Sequence, residues 1–134
     1  ALDFVSCSLD IAEKINQMMP RDQMWSPMAT VILGHGLIGS GNHKEGLEKV
    51  EQGISTLAAR MGHLTQVCLA TSLLEAYIQT RSIDKGISAS NYILKKCVEF
   101  NVDSWMGKAN CLKHKATLLM MKKFPDFVAE PALD

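Results

Sequence analysis

Gly41–Gly62, GNHKEGLEKVEQGISTLAARMG, is the stretch that decides the fold, because its pattern comes round again forty residues later. Shifted by that distance, Ile38 falls on Ile78, Gly46 on Gly86, Leu47 on Ile87 and Ile54 on Leu94. Within the stretch, Leu47, Val50, Ile54, Leu57, Ala58 and Met61 recur at three or four positions. Charged residues fill the other side, as in an amphipathic helix with one buried face. Asn42 is the expected N-cap, with Glu45 completing a capping box, and Gly62 the expected stop.

Working outward, the segment before it, Pro27 to Ser40, is apolar nearly all round and predicts a central helix. Ser26 is its expected cap, with Pro27 in the first turn. Gly34, Gly36 and Gly39 are poor helix formers, and their presence there predicts that another backbone comes close. Leu64 to Thr80 repeats the greasy character and Ser82 to Phe100 the striped one. WMGKANCLKHKATLLMMKK, capped by Asp103 or Ser104, predicts a further helix. An N-terminal helix with the stripe Phe4, Cys7, Ile11, Ile15 and Met18 closes at Pro20. The expectation is therefore an all-α fold of tandem antiparallel helical hairpins, about five to six helices in one domain over 1–123. FPDFVAEPALD, residues 124–134, with two prolines, predicts an extended tail or linker.

Composition narrows the function classes. Lys+Arg and Asp+Glu balance at 14 each, so no global field draws the chain to nucleic acid or an anionic membrane. No apolar run reaches a membrane span, and the N-terminus lacks a signal-peptide pattern. Cys7, Cys68, Cys97 and Cys111 have no paired spacing and predict buried, reduced thiols, hence a cytoplasmic, intracellular setting. The chain begins without Met, and the expectation is a domain of a longer protein.

A greasy helix, a turn with glycine and a striped helix with a small residue in its second turn resemble tetratricopeptide units. More closely, the pattern is similar to the forty-residue repeats in the C-terminal regions of maltose-type transcriptional activators and of ATPases linked to class III adenylyl cyclases. Gly34, Leu37, Gly41 and Gly46 carry the first unit. Leu74, Tyr77, Arg81 and Gly86 stand in the equivalent places of the second, and the Trp105-led helix starts a third. Leu74 replaces an expected small residue and Arg81 a turn glycine. The resemblance implies a sensor or scaffold region whose concave face is lined by the first helix of each pair: Met28, Val31 and His35, then Cys68, Thr71 and Glu75, then Lys108, Cys111 and Lys115. It disfavours the clamp that holds a chaperone's terminal carboxylate, which uses Lys and Asn at such places.

No P-loop, nucleophile elbow or dinucleotide fingerprint occurs, and no histidine stands beside a nucleophile in sequence. Cys111 and His114 could share a helix face, but two groups do not make a metal site. Lys108, Lys113, Lys115, Lys122 and Lys123 make the last helix basic, ordinarily a solvated face. The expectation is a non-enzymatic module without cofactor that binds a protein or peptide, with self-association through repeat ends as a further possibility. The alternative is a small-molecule sensor whose surface around His35, Glu75 and Tyr77 closes on a ligand.

Overall fold

The computed structural model describes residues 7, 9–14, 17, 25–62, 67, 69–100 and 105–128, and among these every regular element is helical. Five helices have defined bounds: α1 (Trp25–Gly39), α2 (His43–Met61), α3 (Ala70–Gln79), α4 (Ile83–Glu99) and α5 (Trp105–Lys123). The described residues of the N-terminal segment are helical as well. Asp103, Ser104 and the predicted start at Leu64 lie outside the described residues.

The forty-residue period is carried in the backbone. Where α1 turns into α2, Gly41 N–H donates to Ile38 O at 3.0 Å and Asn42 N–H to Leu37 O at 2.9 Å. Where α3 turns into α4, Arg81 N–H donates to Ile78 O at 3.1 Å and Ser82 N–H to Tyr77 O at 2.9 Å. These paired bonds are the Schellman closure of a helix end, which needs a residue with positive φ just beyond the cap. Gly41 takes it at 95° and Arg81 at 53°. Asn42 and Ser82 then hold the same dihedrals, φ −88° ψ 70° and φ −84° ψ 68°. Each accepts, through its carbonyl, from Gly46 or Gly86. Two adjacent helices joined so tightly must run antiparallel.

The hairpins differ in how closely their arms approach. A Cβ on Gly46 would lie 2.6 Å from Gly34 O and 2.8 Å from Ile38 N. One on Gly34 would lie 2.6 Å from Gly46 O, and one on Gly53 would lie 2.7 Å from Pro27 O. The α1 and α2 backbones therefore touch through glycines, as the sequence predicts for Gly34 and Gly46. Forty residues on, Leu74 and Ile93 occupy the places of Gly34 and Gly53, both fully buried, and side chains keep α3 and α4 apart. Helix α5 packs on both α3 and α4, while α3 also touches α2 and α1. One apolar cluster runs through all five helices, including Val31, Ile54, Leu74, Ile93 and Leu118.

Several expectations need correction. Asn42 makes no side-chain cap; its amide donates to the Glu45 carboxylate at 2.9 Å instead, side chain to side chain. Gly39, the last residue of α1, is exposed, so it does not serve a packing contact. Of the N-terminal stripe, Cys7 and Ile11 face outward, while Ala12, one residue round, is buried. A short helical stripe leaves that rotation open, since Leu9 and Ala12 form an equally regular spacing. Cys97 and Cys111 are buried thiols, whereas Cys7 is exposed. Met61 is also exposed at the end of its stripe.

Residues 124–128 are not helical. The Arg81 guanidinium, projecting from the second turn, donates to Pro125 O at 2.8 Å and to Phe127 O at 3.5 Å. No helix among the described residues is long and apolar enough to cross a membrane.

Candidate functional site

The residues expected to line a concave face fall into four groups, with His35 among the half-buried ones. Val31 and Cys111 are core residues, 4% and 0% exposed, so neither is offered to a partner. Each sits on the side of its helix that meets a neighbouring helix: Val31 lies against Gly53, and Cys111 donates its thiol to Ser90 O at 3.5 Å. Burial pushes the Cys111 thiol up to about 11, so it is not a reactive thiolate. Met28, Thr71 and Lys115 are half-buried, Glu75 and Lys108 are exposed, and the Cys68 side chain lies outside the described residues.

The tertiary structure assembles a polar row that crosses α1, α3 and α5. The His35 ring nitrogen Nε2 lies 2.7 Å from Ser72 Oγ. Glu75, one turn along α3 from Ser72, faces His114 Nε2 of α5 at 3.8 Å, an ion-pair distance too long for a hydrogen bond. Positions 72 and 75 share a helix face at i, i+3, which is why one helix reaches both histidines. Ser72 and His114 were missed as site members because their partners stand far away in sequence. The forty-residue register offered a signal, since it places His35, Glu75 and Lys115 at equivalent points, one residue from His114.

Local geometry sets the protonation of each group. His114 Nδ1–H donates to Asn110 O at 2.6 Å, which leaves Nε2 as the free nitrogen of the neutral ring. That lone pair faces a carboxylate, and adding a proton converts repulsion into attraction. The Glu75 carboxylate thus raises the His114 pKa against the opposing effect of burial. His114 beside it holds the Glu75 carboxyl below its ordinary range. His35 moves the other way: burial lowers its pKa, and the nearby Glu75 charge only partly offsets that.

Tyr77 is not part of this row. It lies two residues from Glu75, on the opposite side of α3, and its hydroxyl donates to Glu51 of α2 at 2.9 Å. Lys85 of α4 reaches the same carboxylate at 3.5 Å, so Glu51 ties the two hairpins together. Burial raises the Tyr77 pKa, with the Glu51 hydrogen bond adding to it.

Cys111 and His114 point to different partners, and the described residues contain no group of three or more His, Cys, Asp or Glu side chains placed to hold a metal. Ser72 and His35 form a hydroxyl–imidazole pair, but among the described residues no carboxylate hydrogen-bonds the His35 ring to orient it as a base. Separate from the row, an open-sided hollow of about 440 Å³ lies between the N-terminal segment and α1, lined by Leu9, Ala12, Glu13, Gln17 and Leu33. No protein-family model, curated protein or solved structure matches the chain.

Proposed function

We propose that the chain is a non-catalytic helical-repeat scaffold, part of a larger regulatory protein in the cytoplasm, that binds a protein or peptide along the first helices of its hairpins. The observation that carries this is the recurrence, forty residues apart, of the same turn with the same hydrogen bonds. Tetratricopeptide-like stacking fits the way α3 touches both arms of the first hairpin and α5 both arms of the second. On that arrangement the row His35, Ser72, Glu75 and His114 runs across successive first helices, with Met28, Thr71, Lys108 and Lys115 around it. Its mixed polar character suits a peptide with its own donors and acceptors better than a purely apolar ligand.

Binding of peptides from a protein-fragment library, compared between the native chain and H35A/E75A, tests the reading. Peptides that bind the native chain and lose about tenfold or more in affinity to the double variant are expected. Ester or phosphoester turnover by the native chain, abolished in S72A, would overturn it in favour of an enzyme.

A small-molecule sensor is the second reading, and the hollow at Leu9, Ala12 and Leu33 is the observation that favours it. Its volume is in the range of small-molecule sites, with Glu13 and Gln17 as the polar groups. A metabolite that raises Tm in the native chain but not in A12W supports this second reading; no such shift across a metabolite panel removes it.

A further inference from the structure

The forty-residue register exposes a difference in α5. Where the second hairpin carries Ser72, Gln79 and Thr80, α5 forty residues later carries Leu112, Leu119 and Met120. These three are 48%, 46% and 41% exposed, and Phe124 just beyond them is 49% exposed. Ala76 is fully buried on α3, yet its counterpart Ala116 is exposed. Leu112, Ala116 and Leu119 stand at i, i+4, i+7, a single stripe on the helix. Scattered exposed leucines need no explanation, but leucines aligned on one exposed stripe do.

No described residue after α5 is helical. Pro125 cannot continue a helix, and Arg81 draws the carbonyls of Pro125 and Phe127 toward the second turn. The helix itself carries five lysines and no acidic residue. Lys108 and Lys115 lie within one turn of Leu112 on one border of the stripe, and Lys113 lies on the other. Lys122 is engaged by Asp84 at 3.1 Å, and Lys123 lies over the Phe124 ring at 5.6 Å.

We propose that this outward face of α5 seats an amphipathic helix of a partner protein that carries acidic residues beside its apolar stripe. Apolar anchors at helical spacing provide the contact, and the lysine borders select acidic flanks and reject basic ones. The apolar stripe is on the opposite side of α5 from His114, while its lysine borders reach round toward the His35–Glu75–His114 row.

The experiment uses two synthetic amphipathic peptides with the same leucine stripe, one flanked by Glu and one by Lys, titrated into the whole chain. The Glu-flanked peptide is expected to bind at least about tenfold more tightly, with affinity falling as salt rises. L112E/L119E changes only exposed positions and should lose that binding with its circular dichroism unchanged. K108E/K113E should reverse the preference between the peptides, while H35A should leave it alone. Equal binding of the two peptides, or full binding by L112E/L119E, overturns the proposal. So does light scattering that shows a dimer lost in L112E/L119E, which assigns the face to a second copy. Sedimentation with phosphatidylserine vesicles that the Glu-flanked peptide cannot displace assigns it to a membrane and overturns it equally.

Discussion

Gly46 and Gly86 occupy the same place in successive hairpins, yet a methyl group meets different neighbours at each. At Gly46 the obstacles are backbone atoms, Gly34 O at 2.6 Å and Ile38 N at 2.8 Å, and they yield only if the helices separate. At Gly86 the nearest atoms are the Leu118 methyls at 2.7 Å and 2.8 Å, which a rotamer change can move. Gly46→Ala should therefore destabilise the chain by about 2–3 kcal/mol, as overpacking against a rigid neighbour does. Gly86→Ala should cost less, because alanine regains up to about 1 kcal/mol of helix propensity. Urea unfolding of the two variants measures the difference, and equal losses would mean that the first hairpin is not held at backbone contact. Arg81 sets a second contrast. Its positive φ strains a side chain, so Arg81→Gly should stabilise the second turn by about 1 kcal/mol while releasing the tail. Faster proteolysis near Phe127 alongside a higher Tm is the expected pair of results.

Between elements, α3 and α5 are joined by the Glu75–His114 pair, and the two shifts set its pH window. A carboxyl lowered on folding contributes stability above its unfolded pKa of about 4.3, lost as pH falls through the folded value. A histidine raised on folding contributes below its unfolded pKa of about 6.5, lost as pH rises through the folded value. The pair is fully present between those limits. His35 opposes it: its lowered pKa means that the unfolded chain takes up a proton more readily below about pH 6.5, which costs stability. H114Q should accordingly destabilise the chain more at about pH 5.5 than at pH 8.5. Denaturant curves at the two pH values decide it, a pH-independent difference being the adverse result. H35N should show the reverse trend, losing less stability than the native chain on acidification.

Across the whole molecule, a single apolar cluster links the two hairpins and α5, so the described helices should unfold together. Leu74, fully buried in that cluster, is the position to test: Leu74→Ala should cost about 2–5 kcal/mol and shift every probe alike. Tryptophan fluorescence reports near the start of α1 through Trp25 and near the start of α5 through Trp105, and circular dichroism reports all helices. Coincident transitions are expected; separated ones would show that the hairpins behave as independent repeats.

The sequence by itself determined the helical class, most of the element bounds and the forty-residue recurrence. Those depend on periodicity, turn residues and small-residue placement, which act over a few positions along the chain. The close approach at Gly34 was legible for the same reason, because a glycine inside an apolar helix asks for a neighbouring backbone, and the small residue in the second turn of α2, Gly46, is its partner. Which way each helix rolls was decided only by tertiary packing. A rotation of one residue turned Ile11 outward in favour of Ala12 and put Val31 and Cys111 in the core; Tyr77, two residues from Glu75, cannot share its face, and packing brought its hydroxyl to Glu51. The polar row belongs to that level as well. His35 and Ser72 are 37 residues apart, and no local pattern pairs them until α1, α3 and α5 pack. Their pKa shifts follow from the burial and charge that packing creates.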